Sequence, residues 1–329
     1  MRFHELPTPV YVIDEARLKA NLERLNALER RTGCRVLLAQ KAFSAFALYP
    51  LIGRYISGTA ASGLYEARLG FEEMGKENHV YSPAYTAAEI DALRTLCSHV
   101  IFNSIRQFET FYPRLSGVSA GLRINPQHST QSGAIYDPCA PGSRLGMTAQ
   151  EFVTGLDTPE GKRLLSLLDG IHFHTLCEQN SDDLEKTLDA VEEKFGKYLA
   201  DFKWINFGGG HHITRQDYDI PRLEHCIRRM QEKYGLTVYL EPGEAVALNA
   251  GFLVTMVLET RRTEVAVLPG GASDGAMLRL AILDASAACH MPDVLEMPYR
   301  PPLRDSGDAG EKAFTYRLGG PTCLAGGII

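Results

Sequence analysis

The stretch HVYSPAYTAAEIDALRTLCSHVIFNS (79–104) spells out one complete structural unit. A β-rich run, HVYSPA (79–84), gives way to Thr86 and Glu89 at capping-box spacing, and a second run, HVIFNS (99–104), closes the unit. A threonine hydroxyl and a glutamate carboxylate so placed satisfy the exposed amides of a helix N-terminus, so the order reads strand, capped helix, strand. Ser104 with Gln107 and Thr148 with Glu151 repeat the signal farther along.

Runs of the same kind recur at VLLAQ (36–40), SGTAAS (57–62), AGLRINP (120–126), GIHFHTL (170–176), WINFGGG (204–210) and TVYLEPG (237–243), eight in all with the two above. That number and spacing match a TIM-type (β/α)8 barrel, whereas an open doubly wound sheet more often uses about five to seven strands. The polar residues ending the runs then gather at the C-terminal face, where barrel enzymes place their chemistry. TPVYVID (8–14) reads as a strand, followed by a helix to about Arg30 with Leu18, Leu22, Leu25 and Leu28 among its apolar positions. Beyond Gly251, FLVTMVLETRR (252–262) and LRLAILDASAA (278–288) read as strands of a second, β-rich domain with which the first strand can pair. The expected division is a barrel over 15–245 and a β-rich domain from 1–14 and 246–329, with 261–279 an inserted, glycine-rich loop.

With 329 residues, 45% hydrophobic and 22% charged, the chain can bury a sizeable core, and its length suggests two domains. A net charge of −6 with no Lys/Arg run argues against a nucleic-acid partner. The seven cysteines are odd in number and contain no CxxC pair, which argues against a disulfide framework and indicates a reducing, cytoplasmic setting. MRFHELPTP lacks the regions of a signal peptide, and the longest nearly uncharged apolar stretch, 245–258, falls short of the roughly 20 residues that span a bilayer.

Lys41 is the leading catalytic candidate, because an amine desolvated at the end of a buried strand is favoured in its neutral, nucleophilic form and can condense with a carbonyl compound. The run GGGHH (208–212) supplies side-chain-free amides at a turn, suited to a phosphate, though it is neither a GxGxxG fingerprint nor a P-loop. Glu241, fixed before Pro242, can pair with a protonated heteroaromatic nitrogen. His172 and His174 are expected to face opposite sides of their strand, with only one pointing into the barrel. Together with His211 and His212 they also allow a metal reading, but that leaves Lys41 and the glycines unused. Pyridoxal phosphate uses the lysine, the glycines, a histidine stacked on its ring and Glu241 together, with no metal required.

AQKAFS (39–44), GLRINP (121–126), IYDPCAPGSRLG (135–146), HFHTLCEQNSDDL (172–184), NFGGGHHITR (206–215), YLEPGEAVALNAG (239–251), CHMPDVLEMPYRPP (289–302) and GGPTCLAG (319–326) resemble the carboxynorspermidine branch of a known family. That family is the alanine racemase-like, fold type III pyridoxal phosphate decarboxylases, which include ornithine and diaminopimelate decarboxylases. The resemblance implies a barrel plus a β domain, a homodimer with shared active sites, and decarboxylation of carboxynorspermidine or carboxyspermidine to the triamine. It implies Lys41 as the cofactor-bearing lysine, His174 stacked on the ring, Gly208, Gly209, Gly210 and Gly243 around the phosphate, and Glu241 on the ring nitrogen. Arg123 and Arg144 match basic positions near the site, and Cys323 would enter the partner subunit's site as a proton donor.

Diaminopimelate decarboxylases of this family carry arginine after EPG, suited to a distal carboxylate, where this chain has Glu244. A carboxylate pairs with ammonium, so Glu244, with Asp293, implies a polyamine substrate in place of a diacid. The family also has an acidic residue after CLAG and further strands holding a phosphate-binding tyrosine, where this chain has Gly327, Ile328 and Ile329. On that ground a truncated, inactive paralogue with a dimerising or regulatory role is the alternative expectation, beside a diaminopimelate decarboxylase-like enzyme.

Overall fold

The computed structural model describes residues 3–131, 133, 137–156, 158–265, 276–296, 299–308 and 311–329. Within it the chain divides into two compact units, Glu15–Ala250 and a second made of Met1–Asp14 with Gly251–Ile329.

The first unit is a closed barrel of eight parallel strands, β2 (Arg35–Ala39), β3 (Gly58–Ala61), β4 (Glu77–Tyr81), β5 (His99–Phe102), β6 (Ser119–Arg123), β7 (Gly170–His172), β8 (Trp204–Asn206) and β9 (Thr237–Leu240). Each pairs with its neighbour in the sequence, and β9 closes on β2 through Arg35 opposite Tyr239 and Val36 opposite Leu240. These are the eight runs read from the sequence. Their period-two alternation explains why the barrel closes, since one parity faces the helices and the other fills the lumen. Val80, Val100, Leu122, Ile171, Ile205 and Val238 lie on the outer side and are buried. Leu37, Ala60, Ile101, Trp204 and Tyr239 form the inner cluster, with Tyr81 packed against it.

Trp204 is the bulkiest member of that cluster, and two glycines make room for it. A Cβ at Gly170 would lie 2.1 Å from the indole and one at Gly121 2.3 Å from it, so β6 and β7 pass the ring only because both residues lack a side chain. Below this layer, at the N-terminal ends of the strands, Glu77 Oε1 lies 3.2 Å from His79 Nε2 and 3.6 Å from His99 Nδ1, and accepts a 2.7 Å hydrogen bond from the Tyr239 hydroxyl. The two imidazoles stack at 3.8 Å.

Helices open where the capping residues stand. Thr86 and Glu89 form a reciprocal capping box at the helix Ala87–Leu96. Thr148 and Glu151 exchange the same bonds at the helix Ala149–Leu156. Ser104 accepts from the Gln107 amide, but the Gln107 side chain turns to Asn103 and Pro83. The helix Glu15–Thr32 buries Leu18, Leu22, Leu25 and Leu28 completely, each worth about 1.5–3 kcal/mol of transfer free energy.

In the second unit β1 (Val10–Ile13) pairs antiparallel with β10 (Gly251–Val254), and β11 (Val257–Val265), β12 (Ala276–Leu283) and β13 (Tyr316–Gly319) form a three-stranded sheet. Three expectations are corrected here. The run 252–262 is two strands, because Thr255 and the Met256 amide both bond the Asp284 carboxylate and interrupt the ladder. The run 278–288 stops being a strand at Leu283, since Ser286 caps a short helix, Ala287–His290. The expected loop over 261–279 is in part strand, with Arg261 paired to Leu280 and Val265 to Ala276, while 266–275 lies outside the described residues. At the end of the chain Ile328 bridges back to Gly319 and the Ile329 amide donates to Leu318. No helix among the described residues is long and apolar enough to cross a membrane.

Candidate active site

The C-terminal mouth of the barrel gathers Lys41 beyond β2, Arg123 at the end of β6, His172 and His174 at and beyond the end of β7, the turn 208–210 beyond β8, and Glu241 with Gly243 beyond β9. The loops after β2 and β9 touch. Ala39 donates its amide to the Pro242 carbonyl at 3.2 Å, and a Cβ at Gly243 would fall 2.4 Å from that of Ala42, so only glycine lets the lysine loop and the glutamate loop lie together.

Glu241 is the electrostatic centre. Its Oε1 accepts a 2.7 Å hydrogen bond from Asn206 Nδ2, and its Oε2 lies 3.4 Å from His172 Nε2. Burial pushes its carboxyl up, but the His172 ring, its hydrogen bond, the nearby His79 and the Asn206 amide outweigh that and hold it at about 2. His172 is itself kept neutral by burial, against the pull of Glu241, and stacks on Tyr81 at 5.5 Å. Tyr81 also carries the Arg123 guanidinium over its ring at 4.4 Å. Arg123 is buried, and its Nη2 donates to the His174 carbonyl.

His174 accepts the Gly209 amide on Nδ1 at 2.9 Å, which leaves the ring proton on Nε2. Burial first, then the charges of Lys41 and Arg123, drive this imidazole well below its ordinary range, so it is a neutral ring beside the glycine turn. Gly208 and Gly210 have φ of 71° and 81°, where other residues are strained, and a Cβ on Gly208 would overlap His174 at 2.7 Å.

Three site expectations need correction. His172 and His174 do not face opposite sides: residues two apart on a strand share a side, and Phe173 between them points outward onto Phe207 at 5.4 Å. Lys41 is exposed on the rim, because β2 ends at Ala39 and the chain turns before the lysine is covered. Of the amides expected to be open for phosphate, Gly208 donates to Asn206 Oδ1 at 2.8 Å and Gly209 to His174. Metal-like spacing among the described residues joins neither His172 nor His174; the groups are Glu77, His79 and His99, and Glu178, His212 and Glu244.

Glu244 is half-exposed, 3.2 Å from His212 Nε2. Arg144 is exposed in the loop after β6, where the Asn103 amide holds its carbonyl at 2.9 Å. Asp293 and Cys323 belong to the second unit; both are exposed there, Asp293 accepting a 2.6 Å hydrogen bond from Tyr299. Sequence reasoning did not single out Tyr81, Asn206 or Glu178. The first two carry the inward parity of their strands, which was the available signal; Glu178 lies beyond strand periodicity.

A lysine amine on the rim, an ionised carboxylate at the end of the barrel and a neutral imidazole against a glycine turn form a donor set for an aldehyde cofactor with a basic ring nitrogen and an anionic arm. Residues 10–329 match the family model described as pyridoxal-dependent decarboxylase, C-terminal sheet domain. The chain belongs to the pyridoxal-dependent decarboxylase family. It is 38% identical over its full length to the carboxynorspermidine/carboxyspermidine decarboxylase of Campylobacter jejuni, covering 84% of that relative. It is also 38% identical over its full length to the carboxyaminopropylagmatine decarboxylase of Synechocystis, covering 80% of it. The crystal structure of the Campylobacter jejuni carboxynorspermidine decarboxylase complexed with norspermidine superposes with a TM-score of 0.84 over 98% of this chain and 83% of that one, at 38% identity. The diaminopimelate decarboxylase of Helicobacter pylori, 18% identical with a TM-score of 0.76 over 99% of this chain and 82% of that one, shares the fold.

Proposed function

We propose that this decarboxylase acts on carboxynorspermidine and carboxyspermidine, releasing carbon dioxide and the triamine, with pyridoxal phosphate held at the barrel mouth. The observation that carries the reading is the full-length similarity to the decarboxylase whose structure holds norspermidine. The residues present fit the cofactor: Gly208 and Gly210 adopt a turn that a Cβ would block, and Glu241 is ionised beneath the rim. Bound to Lys41, pyridoxal phosphate supplies an electron sink for the pair of electrons left behind by carbon dioxide.

The chain's own residues then divide the work. Glu241 keeps a ring nitrogen protonated, which strengthens the sink. His174 lays a neutral face on the ring, and the glycine turn with Gly243 takes the phosphate, the Gly208 and Gly209 amides exchanging their side-chain partners for it. Arg123 sets the field from below, with Arg144 at the rim, and Glu244 and Asp293 attract the cationic tail. In a cytoplasmic homodimer with shared sites, Cys323 of one protomer delivers the proton that replaces the carboxylate.

A second reading, decarboxylation of carboxyaminopropylagmatine, is favoured by the equal identity to the Synechocystis enzyme. Diaminopimelate is disfavoured by Glu244, whose charge opposes a distal carboxylate. The test is carbon dioxide release by the full chain with added pyridoxal phosphate on all four substrates. Turnover of the carboxylated triamines above the others is expected; preference for the guanidino substrate installs the second reading, and preference for diaminopimelate overturns both.

A further inference from the structure

Beyond β7 the chain leaves the barrel through Cys177 and reaches Glu178, whose φ of 55° places a non-glycine residue in the left-handed region. Its carboxylate, that of Glu244 and a ring nitrogen of His212 lie within 4.8 Å of one another. Two carboxylates that close repel, and the nearby Arg215 does not resolve this, since it pairs with Asp217 at 2.6 Å. His212 is only 7% exposed, and neither ring nitrogen makes a hydrogen bond of proper geometry, while Nε2 points at Glu244 Oε2 from 3.2 Å. A buried polar ring aimed at an acid pair with no adequate partner of its own marks a place prepared for a cation.

Burial and the adjacent Glu244 push the Glu178 carboxyl up, while His212 beside it holds Glu244 down. The pair borders the mouth: the Gln179 amide donates to the Gly210 carbonyl at 3.0 Å, and Glu244 follows Gly243, which packs against Ala42 next to Lys41.

We propose that Glu178, paired with Glu244 and backed by His212, is the subsite that receives the distal cationic group of the substrate, an ammonium or a guanidinium, and so sets substrate choice. The proposal rests on the decarboxylase reading above and extends it to a residue with no other assigned part. A cation entering between the two carboxylates relieves their repulsion and pairs with both. Two carboxylates reject a substrate with a distal acid more strongly than one.

The test is calorimetric binding of norspermidine and of agmatine to the full chain reconstituted with pyridoxal phosphate, alongside carbon dioxide release. In Glu178→Gln, norspermidine affinity should fall roughly 10-fold or more, with the cofactor's absorbance and kcat less affected than KM. Glu178→Gly removes the left-handed strain as well as the acid, so it should melt at or above the wild-type temperature yet bind norspermidine as weakly as the Gln variant. Tighter binding of agmatine than norspermidine by the wild type assigns the site to a guanidinium. If the wild type turns over the triamines while both variants bind norspermidine undiminished, the subsite is wrong and the decarboxylase reading stands. Failure of the wild type to bind either amine or to release carbon dioxide overturns both, and a divalent metal lost in Glu178→Gln with amine affinity unchanged replaces the ammonium site with a metal site.

Discussion

Glu77 and Glu241 lie at opposite ends of one barrel lumen, and each is an inward carboxyl held at about 2 by imidazoles against the upward push of burial. At the N-terminal end the partners are locked. His79 and His99 stack at 3.8 Å, Trp204 meets His99 edge-on at 5.2 Å, and Tyr239 donates to the carboxylate. At the C-terminal end the strands open into loops, and the carboxylate shares its surroundings with a lysine, a glycine turn and a neutral imidazole. A depressed carboxyl therefore does not by itself mark an active site; a reactive neighbour and room for a ligand do.

The comparison breaks most sharply at Lys41. Lys41→Ala should lower carbon dioxide release by roughly 10³-fold or more. Because the residue is exposed, the melting temperature should barely move, surface changes usually staying within about 0.5 kcal/mol. Retained turnover would place the chemistry elsewhere.

Exchanging each carboxylate for its amide sharpens the contrast. Glu241→Gln should cost roughly 10²–10³ in kcat by weakening charge stabilisation at the mouth. Glu77→Gln should leave kcat near wild type and change stability with pH. The Glu77 carboxyl falls from an ordinary 4.5 to about 2 on folding, so its stabilisation is complete above pH 4.5 and is lost as pH falls towards 2. The His99 ring, lowered from 6.5 to about 3 chiefly by burial, adds a loss that runs from pH 6.5 down to 3 because the unfolded chain takes its proton first. Melting followed by circular dichroism should show Glu77→Gln less stable than wild type at pH 7, the gap closing below pH 4.5. A gap constant down to pH 2.5 would show that the charge of Glu77 is not what stabilises this end.

Much of both clusters follows from strand parity. Lys41, Arg123, His172, His174, Asn206 and Glu241 share the inward parity of Leu37, Gly121, Gly170, Trp204 and Tyr239, so once eight strands are recognised the mouth can be written down. Beyond the strand ends that rule stops. The exposure of Lys41 depends on β2 ending at Ala39, and the meeting of Glu178 with Glu244 depends on a left-handed turn that no hydrophobic pattern encodes. The amides of Gly208 and Gly209 illustrate the same limit, since the side chains that take them come from β8 and from beyond β7.

Between the two ends lies the Trp204 layer, which holds them apart. Gly170→Ala would set a Cβ 2.1 Å from the indole, and overpacking of this kind costs about 1–3 kcal/mol. Since β7 also carries His172, the strain should reach Glu241, so kcat should fall along with the denaturation midpoint. A variant with lower stability but unchanged kcat would show that the mouth is insulated from the lumen beneath it.

The smallest effect tests whether helix capping, the feature that makes the fold readable, also contributes to the chemistry. In Thr86→Ala the hydroxyl that accepts from the Glu89 amide is lost, and the Glu89 carboxylate keeps only its bond to the residue 86 amide. Loss of such a cap costs about 1 kcal/mol. The helix it begins lies outside the barrel between β4 and β5, and the inward ends of those strands supply Tyr81 and Asn103, joined by a 2.7 Å hydrogen bond. That bond is made within the lumen and does not depend on how the helix begins. Urea denaturation should therefore register the lost cap while KM and kcat stay at wild-type values, and a change in either constant would mean that the outer layer positions the mouth as well as supporting it.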